Sequence, residues 1–143
     1  MLIDQQNQFS TAQAVTATGP TASTNTVDLG VARDISGAVS GPLFLLCEVV
    51  TPFTSGGAAT LQVQVQTSPD NVTWSIVDQS DAIPVASLAQ GYKFLPNKLG
   101  GATSRYVRLN YVVGTAVMTA GAITAGLVAS LDVQPVYPRG YAA

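Results

Sequence analysis

The chain has 143 residues, of which Lys and Arg number 6, Asp and Glu 8, and His none, for a net charge of -2. Charged residues make up only 10% of the sequence, against about 25% in an average globular chain. The surface must therefore be built from Thr, Ser, Gln, Asn, Ala and Gly, which suits a part of an assembly. Few and scattered basic residues argue against nucleic acid as a partner, and the absence of histidine excludes Ser-His-Asp and Cys-His catalysis and Cys/His zinc sites.

Taken in chain order, Met1 to Gln8 has neither the basic start nor the long apolar stretch of a secretory signal, which predicts synthesis and folding in the cytoplasm. Residues 1–12 are polar apart from a few positions, with Phe9 the one aromatic, and read as an arm that orders only on docking. From Gln13 an alternation begins, with Ala14, Thr16 and Thr18 opposed to Gln13, Val15 and Ala17. A break at Gly19-Pro20 precedes a second short strand over Thr24 to Leu29, closed by Gly30. Pro42 to Thr51 is apolar on both parities apart from Glu48, the pattern of a strand in the middle of a packed sandwich, ended by Pro52. Cys47 in that run reads as a small buried hydrophobe, and a lone cysteine forms no disulfide within the chain.

After the loop Thr54 to Ala58 comes the clearest signal. Leu61, Val63 and Val65 alternate with Gln62, Gln64 and Gln66, so the aliphatics face a core and the amides face solvent or a neighbouring subunit. Ser68-Pro69-Asp70-Asn71 has the chemistry of a tight reversal, and the strand beyond it puts Val72, Trp74 and Ile76 on one face, with Trp74 in the core. Asp78 to Leu99 reads as a long connection carrying short strands, interrupted at Pro84, Gly91 and Pro96. Ser104 to Val113 alternates again, with Val107, Leu109, Tyr111 and Val113 inward and Arg105 and Arg108 reaching the surface. A final strand is predicted over Ile123 to Val133, with Leu127, Ala129 and Leu131 inward. The uncharged stretch between Arg108 and Asp132 is long enough to span a bilayer, yet its Thr, Gly and Ala content suits strands joined by a turn.

No amphipathic helix of about ten residues or more is apparent. Roughly eight strands at sandwich spacing predict an all-β, single-domain antiparallel β-sandwich of the jelly-roll or a related Greek-key type. Its expected limits are an N-terminal arm at 1–12, a sandwich at 13–134 and an extended C-terminal tail at 135–143, which Pro135 and Pro138 keep out of the ladder.

Catalytic chemistry has few places to reside. Asp70, Asp78 and Asp81 could be imagined as a carboxylate pair or calcium ligands, but each falls in or beside a turn, where Asp serves local hydrogen bonds. Gly56-Gly57 and Gly100-Gly101 lack the following Lys-Ser or Lys-Thr of a phosphate loop. Asn71-Val72-Thr73 matches a glycosylation acceptor only formally, given the expected cytoplasmic synthesis. The expectation is a protein that is not an enzyme and uses no cofactor or metal.

The segments Ser10 to Thr18, Ser23 to Gly30, Thr67 to Trp74 and Arg105 to Tyr111 together resemble the jelly-roll capsid cement, or decoration, proteins of tailed bacteriophages, of the type described for a Bordetella phage. The resemblance implies a structural virion protein that binds the outer surface of an icosahedral capsid and ties neighbouring capsomers together. Its implied partners are the major capsid protein and further copies of itself, as a dimer or trimer, with neither nucleic acid nor membrane involved. Candidate capsid or subunit contacts are Phe9, Gln62, Gln64, Gln66, Tyr137, Arg139 and Tyr141. The competing reading is a carbohydrate-binding jelly-roll module of a phage fibre or surface-adhesion protein.

Overall fold

Strands account for nearly all the regular structure in a computed structural model that describes residues 3–34, 43–95 and 102–129. In chain order they are β1 (Gln8–Ala14), β2 (Gly19–Ala22), β3 (Val27–Asp28), β4 (Arg33–Asp34), β5 (Phe44–Thr54) and β6 (Thr60–Ser68). There follow β7 (Ser75–Gln79), β8 (Ile83–Pro84), β9 (Ala102–Thr103), β10 (Tyr106–Gly114) and β11 (Ala120–Val128). Short 3-10 turns occupy Gln5–Asn7 and Val85–Ser87. Among the described residues no helix is long and apolar enough to cross a membrane, and the uncharged stretch after Arg108 forms the end of β10, a turn and β11.

Two antiparallel sheets carry the fold, one in the order β1-β11-β5 and a larger one in the order β2-β10-β6-β7, with β3 beside β10 and β8 beside β6. The small pair β4-β9 stands apart. Residues 88–94 run along the free side of β5. Phe53 N donates to Leu88 O, Gly91 N to Val49 O, Val49 N to Tyr92 O and Phe94 N to Cys47 O, at 2.8–3.1 Å. With that segment counted, the pairings nest: β1 with β11, β2 with β10, β5 with 88–94, β6 with β7. A long hairpin rolled on itself in this order is the jelly roll, so the β-sandwich expectation holds.

The core lies between the sheets. Leu61, Val63 and Val65 from β6 and Val107, Leu109, Tyr111 and Val113 from β10 are at most 1% exposed, as the period-two pattern requires. They meet Leu45, Cys47, Val49, Ile123, Ala125 and Leu127 from the smaller sheet. Burying an aliphatic side chain of this size stabilises by roughly 1.5–3 kcal/mol. Leu88 and Phe94 close the sandwich from the long connection, at 1% and 2% exposed. Cys47 is buried as expected, and desolvation pushes its thiol pKa far up. At the opposite seam, Ser10 Oγ donates to Gln13 Oε1 at 2.7 Å. The buried Tyr111 hydroxyl 2.8 Å away is therefore left as the donor to Ser10.

Several expectations need correction. Phe9 lies in β1 and is 0% exposed, so residues 8–12 belong to the sandwich: β11 supplies a pairing partner that their polar sequence does not announce. Gly19-Pro20 starts β2 instead of breaking a strand, because β2 is an edge strand where the missing N–H of proline costs no ladder bond. Pro52 likewise sits inside β5, where the register with β11 is irregular. β5 lies between β11 and residues 88–94, in keeping with the central position its apolar run predicts. The last strand starts at Ala120, and Ala129 is exposed beyond its end. Leu131 and residues 135–143 lie outside the described residues.

Candidate functional site

The outward side of the larger sheet follows directly from the alternation of β6. With Leu61, Val63 and Val65 inside, Gln62, Gln64 and Gln66 stand on the other face, and register places Val112, Asn110 and Arg108 opposite them on β10. On the other flank β7 brings Gln79 beside Gln64 and Ile76 beside Gln66. The result is a face made largely of amides.

These amides are tied to one another. Asn110 Nδ2 donates to Gln64 Oε1 at 2.9 Å, and Gln66 Nε2 reaches the same oxygen at 3.4 Å. Gln62 Nε2 donates to the backbone oxygen of Ser80 at 2.9 Å. Arg108 Nε donates to Gln66 Oε1 at 2.9 Å, while its guanidinium carbon lies 4.0 Å from the centre of the Trp74 ring. Fixing long side chains in this way removes rotamer freedom before any partner arrives, which lowers the entropic cost of binding. Gln66 and Asn110 are 9% and 7% exposed.

Trp74 is therefore not a core residue. Val72 is 78% and Ile76 52% exposed, and the expected inward face of Val72, Trp74 and Ile76 is turned outward. The strand starts only at Ser75, so parity counted from Val72 has no ladder to refer to. The preceding residues are held by Asp70, whose Oδ1 accepts from Val72 N, Thr73 N and Ser68 Oγ at 2.8–2.9 Å. Those bonds hold the Asp70 carboxyl at a pKa of about 2, with the Thr73 and Val72 backbone donors the leading causes. The turn role assigned to Asp70 stands.

An ion pair marks the edge of the sheet. Arg105 Nε and Nη2 donate to Asp28 Oδ1 and Oδ2 at 2.8 and 2.9 Å. The Arg105 hydrogen bond, helped by the backbone N–H of Gly30, lowers the Asp28 pKa to about 2. Among the described residues no three His, Cys, Asp or Glu side chains gather as a metal site. Open clefts lie among the described residues. One of about 470 Å³ is lined by Gln5, Gln8, Phe9, Ser10, Thr11, Thr24 and Asn25, and one of about 300 Å³ by Gln79, Asp81, Tyr92, Lys93 and their neighbours.

Of the residues singled out in the sequence, Gln62, Gln64 and Gln66 come together on one face, whereas Phe9 is enclosed in the core and has no surface to offer a partner. Tyr137, Arg139 and Tyr141 lie outside the described residues. Sequence reasoning missed Asn110 and Arg108 as members of the same face. The signal was present in their parity, opposite to Leu109 and Tyr111, but joining them to the glutamines needs the β6-β10 register.

A jelly-roll β-sandwich with an amide-rich outer sheet face defines the class. The Bbp16 family model matches residues 9–127, and the chain belongs to the Bbp16 family. The family name points to a Bordetella phage protein, and the match runs from the second residue of β1 to the last but one of β11. No curated protein matches the chain.

Proposed function

We propose that this protein is a non-enzymatic virion component that binds the outer surface of an icosahedral phage capsid and cements neighbouring capsomers. The observation that carries the reading is the outer face of the larger sheet, where the neutral side chains of Gln62, Gln64, Gln66 and Asn110 surround a single cation, Arg108, and are held by hydrogen bonds to one another or, for Gln62, to the backbone. Amides lose little on leaving water when a partner supplies matching amide and backbone groups, whereas unpaired charged residues in their place would carry a large desolvation penalty. Membership of a phage family supports the setting. An added subunit that recognises only the assembled lattice stabilises it by mass action, and several weak contacts suffice when made together.

The carbohydrate-module reading requires an exposed aromatic platform. The large hydrophobics exposed among the described residues are Val31, Val72, Ile76 and Val117, none of them aromatic, and Arg108 occupies one face of Trp74. The capsid reading is therefore preferred.

Co-sedimentation of the purified protein with empty capsids of its own phage tests it. The protein is expected in the pellet with shells and in the supernatant without them; protein left in the supernatant with intact shells ends the proposal. A chain truncated before Val136 tests separately whether Tyr137, Arg139 and Tyr141 act as a clasp.

A further inference from the structure

Arg105 and Arg108, three residues apart in sequence, are used differently. Arg105 presents its Nε and Nη2 edge to both oxygens of Asp28, the bidentate geometry for which a guanidinium is suited. Arg108 has no carboxylate within ion-pair distance among the described residues. Its Nε is taken by the neutral Gln66 oxygen, and Trp74 covers one face of the guanidinium. The remaining N–H groups, at the end of the fork, have no hydrogen-bond acceptor among the described residues. Burial lowers the Arg108 pKa, and nothing around it acts in the other direction.

The surroundings resemble an interface anchor. Arg108, Gln66 and Ile76 form one cross-strand row, with Trp74 stacked at its end and Ile76 and Val72 exposed beside it. A cation held by a tryptophan within an apolar rim is the residue combination that dominates binding energy in protein interfaces. The stack and the Gln66 bond hold the guanidinium plane in place, so little rotamer freedom is left to lose on pairing.

We infer that Arg108, held by Trp74 and Gln66, is the anchor of the amide face and receives an Asp or Glu side chain of the partner protein end-on at its free guanidinium edge. The inference rests on the proposed capsid binding and names the partner's chemistry. A polyphosphate ligand fits poorly, because the six Lys and Arg residues are scattered along a chain of net charge -2 and the neighbouring Arg105 is taken up by Asp28.

The test is co-sedimentation with empty shells at about 0.05 M and about 0.5 M salt, conditions that differ severalfold in screening. Wild-type binding is expected to weaken with salt. Arg108→Gln should lose about tenfold or more in affinity and most of that salt dependence, Arg108→Lys should retain part of both, and Trp74→Ala should weaken binding less than Arg108→Gln. Denaturant midpoints establish that each variant is folded, and Arg108→Lys keeps the test informative if Arg108→Gln is not. Shells whose carboxylates have been amidated with a carbodiimide and an amine should bind the wild type as poorly as Arg108→Gln binds native shells. If the wild type pellets and folded Arg108 variants pellet equally well, or if amidated shells bind as before, the anchor is wrong while capsid binding stands. If the wild type does not pellet, both are wrong.

Discussion

The two sheets of the sandwich solve the same packing problem with different surfaces. In the larger one, the central strand β6 is apolar inward and polar outward: Val63 is 0% exposed, and its neighbour Gln64 joins the amide network. In the smaller one, both sides of β11 are closed. Ile123, Ala125 and Leu127 face the core, yet Ala122 and Val128 on the other side are also buried, as is Leu46 on β5. Part of that cover is visible at Gly126, where an added Cβ would lie 3.1 Å from Ile3 Cγ2 and 3.2 Å from the backbone oxygen of Asn7. The N-terminal segment thus crosses the outside of the smaller sheet, whereas among the described residues no segment is seen to cross the polar outer face of the larger one.

The comparison can be broken most forcefully at Gly121 in the smaller sheet. Its φ is +144°, and a Cβ there would lie 2.0 Å from Cδ1 of the core residue Phe53. Gly121→Ala therefore combines backbone strain with overpacking and is expected to cost about 3–5 kcal/mol, read from urea unfolding. A smaller contrast lies within β6. Val63→Ala, which empties core volume, should cost about 2–3 kcal/mol, whereas Gln64→Ala on the opposite face should cost about 1 kcal/mol or less. Equal losses at the two positions would mean that the amide face serves stability as much as recognition.

The smallest expected effect is at acid pH. Asp28 and Asp70 have folded-state pKa values of about 2 against an ordinary 3.8. Between those values the unfolded chain binds more protons, so stability rises with pH there. The contribution is complete above about pH 4 and is lost as pH falls through about 2. Asp70→Asn should flatten this part of the profile of unfolding midpoint against pH; an unchanged slope would remove Asp70 from the account.

The same contrast between sheets explains what could be read in advance. β6 and β10 were legible because one face is aliphatic and the other polar, so the period of two survives in the sequence. β11 was placed only approximately, since a strand of Ala, Gly and Thr with both faces covered has little alternation to show. Phe9 was misjudged because Gln, Ser and Thr around it look like a free arm, and only pairing to β11 makes them a strand. The prolines misled for a related reason: Pro20 and Pro52 stand at an edge and an irregularity, where a ladder tolerates them.

By itself the sequence determined the all-β class, the inward sets of β6 and β10, the Asp70 turn and the neutral character of the surface, because each depends on side-chain chemistry and spacing within a few residues. Only the tertiary structure decided which outward groups stand together. Gln66 and Arg108, 42 positions apart, meet because the nested pairing sets the register of β6 against β10. Trp74 joins them because the turn held by Asp70 delivers it to the outer side of the sheet, a placement that no local pattern contains.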